Sequence, residues 1–453
     1  MQGGNSQNLG YLRAIVAAMV RQPAPDRLLE GEEALRWAAQ FPVSRVTGAG
    51  ERVGILRNGV VAVNKLASAL AKTQPRYRRG AHPQNLAKAL VDASIQAFSD
   101  RTAASIGSAD LSVLERAVSE WFLENVKPRT CLIPCWIIPD IPSFAHAHPF
   151  AVGPVEFCHV SILLKQEGIG NPEKNIVYGP LFQAMDEREA TWVAKIKIDD
   201  CEETRASEMA DLAVDVALVG VQMVIPKSYS RDMARITGRT MPTWIGGVHK
   251  SGSQTTTTIR RRDPGFGLSG EAFDQFLSQQ AALIKSVGRR VNAYVQGGVK
   301  LPSLEQAWCD GAYWFHEGLA EPLDTIAVAK LETAIEVLLG AESAKLSKER
   351  LCQAIQAFYG LKQADPLGTD PSISVKKFVE SIVGARSRIL HGTFSTLTEN
   401  VIATRANVEL LSFDLLRLST VALGRYTALE APVDTAKAFL DWVDKERQFG
   451  ASS

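Results

Sequence analysis

The chain has 453 residues, 46% of them hydrophobic and 22% charged, and its 50 basic and 49 acidic side chains leave a net charge of +1. That length exceeds one ordinary hydrophobic core, so several domains are expected, and the neutral balance excludes a global field that would gather nucleic acid, leaving any such role to local patches. The most continuous apolar run, LAVDVALVGVQMVIP from Leu212 to Pro226, is broken by Asp215 and falls short of the roughly 20 residues that span a bilayer, so no membrane partner is expected. The opening MQGGNSQNLGYL lacks the basic start and apolar middle of a signal peptide, which makes the cytoplasm the expected address. Six scattered cysteines fit reduced thiols rather than a disulfide framework.

In chain order, residues 1–127 read as a helical N-terminal region, with amphipathic segments such as NLAKALVDASIQAF and SVLERAVSEWFLENV between Gly- and Pro-bearing breaks. From 128 to 267 the pattern shifts to short apolar or alternating runs: CLIPCWIIPDIPSF, VEFCHVSILL, ATWVAKIKID and the Leu212–Pro226 run, which could equally be a buried helix. This predicts a mixed, strand-containing domain closed by the polar tract KSGSQTTTTIRRRDPGFG. Residues 268–302 read as a connecting helix, from about Gly270 to Tyr294. Residues 303–453 read as an up-and-down helical bundle, because short links join strongly amphipathic helices. In it, Leu304, Ala307, Trp308, Gly311, Phe315 and Leu319 share one face. Asp324 is the expected N-cap of a helix ending at Gly340, Ser347 the N-cap of the next, and Thr398 the start of a long one. The fold class is thus multidomain and mainly α, with a mixed α/β middle.

One stretch breaks the pattern. In VKKFVESIVGARSRILHGTF, Val375, Phe378, Val379, Ile382 and Ile389 form an apolar stripe, and Arg386 falls in its middle. A guanidinium there needs an acidic partner or an acidic ligand, and Glu332 and Glu336, flanking the stripe of an earlier helix, are the natural candidates. Either Arg386 ties helices together, or it belongs to a site. His391 would point roughly 140° away from Arg386 on a straight helix, but Gly392 suits a left-handed C-cap that ends the helix near Leu390 and frees the imidazole. Histidine exchanges protons near neutral pH, and an arginine beside it matches phosphate oxygens. Such a pair suits RNA cleavage by the ribose 2′-hydroxyl, chemistry that needs no metal, and a two-fold dimer would supply the second proton transfer.

The segment YWFHEGLAEPLDTIAVAKLETAIEVLLG, followed some 50 residues on by GARSRILHG, resembles the HEPN superfamily, most closely its Apea-like branch. The family's R-x4-6-H motif falls on Arg386 and His391, and Glu336 falls at the glutamate of the earlier helix, with Ile335 where leucine is usual. The resemblance spans about Ser303 to Leu429. It implies a homodimeric endoribonuclease without cofactor or metal, in which His391 is general acid or base, Arg386 holds the scissile phosphate and Glu336 orients the arginine. Ser387 and Arg388 would contact RNA, Arg388 either as an auxiliary phosphate ligand or as a competitor for the motif role. Many members act in bacterial antiviral or abortive-infection defence, which implies a phage-derived trigger, with the N-terminal region and the mixed domain sensing it or holding the nuclease inactive. Others are non-catalytic RNA-binding or protein-interaction modules, and that alternative stays open.

Further constellations are weaker. Cys131, Cys135, His146, His148, Cys158 and His159 have zinc-compatible chemistry but poor spacing, and buried thiols with ordinary loop histidines explain them as well. QPRYRRG, Gln74 to Gly80, reads as a solvated loop, or as a basic patch whose Tyr77 stacks on a base; Thr255 to Arg262 is a second basic cluster. His316, off the apolar face beside Glu317, reads as an exposed helical histidine or a second proton donor within one chain. TGAGERVG lacks the Gly-Lys-Ser/Thr ending of a phosphate loop.

Overall fold

A computed structural model describes residues 2–22, 32, 36, 39–47, 51–140, 147–238, 244–261, 264–367, 370–395 and 398–450. The chain is mainly α-helical with small sheets, as its sequence predicts, and it divides into two units: Met1–Arg129 with Ile198–Glu208, and Thr130–Lys197 with Met209–Ser453. No described helix is long and apolar enough to cross a membrane.

In the first unit, the helix Arg57–Thr73 buries Gly59, Ala62, Val63, Leu66, Ala67 and Leu70, the three-and-four spacing of a single face. That face belongs to one core with Leu12 and Ile15 of the helix Gln2–Ala17 and with residues of the helices Pro83–Phe98 and Ser108–Asn125, including Leu90 and Phe122. Each fully buried Leu or Ile contributes about 1.5–3 kcal/mol. Three four-residue strands, which helical periodicity does not announce, form an antiparallel sheet with Arg52–Ile55 between Met19–Gln22 and Val43–Val46. The QPRYRRG stretch is not a solvated loop. Its residues Pro75–Gly80 form a short helix, and Tyr77 is 1% exposed, edge-on to Phe122 at 5.3 Å, so its ring is unavailable to a base. Buried Glu202 explains why Ile198–Glu208 belongs to this unit. Its carboxylate accepts from the backbone N–H groups of His82, Thr204 and Arg205 and from the Asn85 amide.

A five-stranded sheet, in the second unit but for the strand-end residues Arg129 and Ile198, runs in the order Phe150–Val152, Val155–His159, Trp192–Ile198, Arg129–Trp136, Ala234–Arg235. The Leu212–Pro226 run takes the helical option as far as Gln222, at the end of the helix Glu203–Gln222, and Ala213, Val214, Ala217, Leu218 and Val221 are all buried. A helix apolar nearly all round is a core helix, which is why its periodicity is ambiguous. The expected Gly270 to Tyr294 helix is two, Gly270–Gln279 and Ala281–Gln296, broken at Gln280.

The C-terminal helices are Pro302–Ala320, Asp324–Leu338, Ala344–Tyr359, Val375–Leu390, Ile402–Thr427 and Ala436–Gly450. Asp324–Leu338 is central, packing on Pro302–Ala320, Val375–Leu390 and Ile402–Thr427. Three expected boundaries shift. Asp324 is the first helical residue rather than the N-cap, because its carboxylate is held by Arg405 Nη1 at 2.6 Å. Ser343, not Ser347, caps the following helix, accepting from the Leu346 N–H. The long helix starts at Ile402 rather than Thr398. The link LKQADPLGTDP carries short paired strands, Pro366–Leu367 and Asp370–Ser374.

Candidate active site

Ser374 caps the helix Val375–Leu390 through its hydroxyl, and Val375, Val379, Ile382, Val383, Ala385 and Ile389 bury one face. That face carries Arg386 inward, where it meets two carboxylates one turn apart on Asp324–Leu338. Arg386 Nη1 donates to Glu336 Oε1 at 3.1 Å, Nη2 lies 2.8 Å from Glu336 Oε2, and Nε lies 3.1 Å from Glu332 Oε2. The Nε contact is a charge contact without hydrogen-bond alignment. Glu332 is fully buried, and its Oε1 accepts from the buried Ser347 hydroxyl at 3.1 Å. Burial, and then the neighbouring Glu336, push the Glu332 carboxyl up to about 7 against the pull of Arg386. Burial likewise raises Glu336, opposed by Arg386. Near neutral pH the site therefore holds one guanidinium facing less than two full carboxylate charges, and protonation of Glu332 balances it. The Arg386 side chain keeps 24% of its surface exposed.

His391 stands at the end of the same helix. Gly392 adopts φ +69°, and the N–H groups of Gly392 and Thr393 return to the carbonyls of Ile389 and Arg388. This pairing is a Schellman cap, which closes the helix and leaves His391 exposed as its C-cap residue. No hydrogen bond or ion pair joins His391 to Arg386 among the described residues, so one chain brings Arg386, Glu332 and Glu336 together and sets His391 apart. Ser387 is half-buried, and its carbonyl accepts from the His391 N–H. Arg388 is exposed, its guanidinium 3.9 Å above the Phe394 ring and its Nε directed at the Gly384 carbonyl. That stacking leaves Arg388 beside the cap, on the same turn as His391.

The other candidates fall elsewhere. His159 uses both ring nitrogens, toward Ser161 Oγ at 2.7 Å and Asp140 Oδ1 at 3.0 Å; His148 pairs with Asp274. Cys135 is fully buried, with burial driving its thiol well above the usual range. His146 lies outside the described residues, and among those described no three His, Cys, Asp or Glu side chains converge as a metal site.

His316 is not exposed. It is 1% accessible, with Nδ1 2.9 Å from Gln222 Oε1 and Nε2 3.7 Å from Asp215 Oδ1. Asp215 in turn takes Arg235 Nε and Nη2, both at 2.8 Å. The charge interrupting the apolar run was the available signal for this network. A cavity of about 820 Å³ opens beside the helix Ala281–Gln296, with Phe150, Ile284, Lys285 and Arg289 among its lining residues; neither Arg386 nor His391 lines it.

No protein-family model matches the chain, and it matches neither a curated protein nor a solved structure.

Proposed function

We propose that the chain is an endoribonuclease of the HEPN type, cleaving RNA at a site completed by a two-fold homodimer, in bacterial antiviral defence of the abortive-infection kind. The observation that carries this reading is one helix that holds Arg386 against two carboxylates and leaves His391 exposed at its glycine cap. In the proposed reaction His391 takes the proton of a ribose 2′-hydroxyl, and that oxygen attacks the adjacent phosphorus. The 5′-oxygen leaves with a proton from the partner's His391, giving a 2′,3′-cyclic phosphate and a 5′-hydroxyl end. Arg386, oriented by Glu336 and Glu332, offers the phosphate the N–H groups its carboxylates leave over, and Arg388 adds charge beside the cap. No cofactor enters these steps. The cytoplasm supplies the RNA, and a phage product supplies the trigger.

A second reading has its own support. Three Arg386 nitrogens already face carboxylates, which favours a structural clasp inside a non-catalytic RNA-binding or protein-interaction module of the same family. RNA would be taken from bacteria expressing the wild type or His391→Ala, before and after phage infection, and its ends mapped in parallel with purified protein in chelator. New 5′-hydroxyl ends that depend on His391 support the nuclease. Identical end profiles in every arm leave the clasp.

A further inference from the structure

The strands Trp244–Ser251 and Gln254–Arg261 pair antiparallel along their whole length, from Ser251 opposite Gln254 at the turn to Trp244 opposite Arg261 at the base. Eight residues at about 3.4 Å each make an arm roughly 27 Å long. Among the described residues neither strand pairs with any other, and Val248, His249, Lys250 and Thr255 to Thr257 are exposed. An isolated two-stranded ribbon is marginal in water, and its open edges invite association, so its retention asks for a partner.

Charge says which kind. From Trp244 to Arg261 the sequence contains no Asp or Glu, yet it carries Lys250, Arg260 and Arg261, in a chain whose overall charge is only +1. The ribbon itself adds a run of threonines, whose hydroxyls suit phosphate oxygens. The partner is therefore a polyanion with repeated phosphates. Its form follows from dimensions: a two-stranded ribbon fits the roughly 12 Å major groove of B-form DNA, whereas the A-form major groove is deep and narrow. Recognition of single strands relies on successive aromatic rings that stack on successive bases, and from Trp244 to Arg261 the sequence holds one, Trp244 at the base. We infer that the ribbon is a duplex-DNA-binding arm. The inference stands apart from the ribonuclease reading, since it uses no residue of the Arg386 site.

The test is fluorescence anisotropy of the full chain with a 30-base-pair DNA duplex, the matching RNA duplex and the single strands, over a salt series. DNA duplex should bind tightest. Combined Lys250→Ala, Arg260→Ala and Arg261→Ala should lower the slope of log K against log salt by about 2.7, or about 0.9 for each phosphate that no longer meets a cation. Thr255→Glu with Thr257→Glu places repulsive charge on the same arm and should weaken binding without removing any cation. His391→Ala should bind the DNA duplex as the wild type does. Equal or tighter binding of the RNA duplex overturns the groove assignment. Absence of DNA binding, a salt slope unchanged in a folded triple variant, or self-association of the chain through the ribbon in place of DNA binding overturns the arm.

Discussion

The environment of Glu332 makes a definite demand on stability. Its carboxyl ordinarily titrates at 4.5 and is pushed up to about 7 in the folded chain, chiefly by burial. The folded state then binds the proton more tightly than the unfolded state, so this group favours folding below pH 4.5. Its contribution falls as pH rises through the interval to about 7, and it is fully lost above that. The interval, at about 1.36 kcal/mol per pH unit, amounts to roughly 3 kcal/mol, and about 2.5 kcal/mol of it lies between pH 5 and pH 8. Glu332→Gln keeps an oxygen to accept from Ser347 and leaves Arg386 its two contacts with Glu336, but it cannot titrate. Urea unfolding of wild type and variant should be compared at pH 5, 6, 7 and 8. The variant should gain on the wild type by about 2–3 kcal/mol across that range. Parallel curves, with a constant difference between the two proteins, would show that Glu332 titrates as an ordinary carboxyl, and the charge balance described for the site would be wrong.

Arg386→Met leaves both carboxylates without their cation and should cost about 3–5 kcal/mol at pH 8, and less at pH 5 where protonation relieves them, measured in the same unfolding series. Gly392→Ala forces a methyl into the left-handed cap at φ +69° and should cost about 1–2 kcal/mol, with loss of any His391-dependent cleavage as the helix end frays. His316→Leu removes the ring nitrogen that meets Gln222 and should lower stability by about 1–3 kcal/mol; unchanged thermal unfolding would place the imidazole outside the core.

The parts of the site that were legible in the sequence share one property: they violate a local pattern. Arg386 on an apolar stripe announces a need for carboxylates, and Glu332 and Glu336 lie one turn apart on a neighbouring helix where they can meet it. Gly392 announces a helix end by its chemistry alone. Asp215 is the same kind of violation, yet its partners Arg235 and His316 come from a strand and a distant helix, and nothing in local spacing points to either. Two serines four residues apart compete to cap the helix Ala344–Tyr359, and the choice of Ser343 follows from Ser347 being drawn to Glu332, a tertiary fact. The four-residue strands of the first unit escape a sequence reading because alternation over so short a span does not stand out against a helical background. Tyr77 resembles a surface ring among arginines because the sequence does not reveal Phe122 beneath it.

The cavity beside Ala281–Gln296 has a backbone joint in its wall. A Cβ on Gly153 would sit 2.2 Å from the Gly288 carbonyl oxygen, and one on Gly288 would sit 2.4 Å from the Gly153 nitrogen. Main chain meets main chain there, with room for no side chain on either partner. In a saturation scan both positions should therefore show blank columns, tolerating no residue but glycine, while Lys285 and Arg289 on the same wall tolerate many. A cavity map coloured by mutational sensitivity would mark the joint as its hottest spot, for a reason of assembly and not of ligand chemistry.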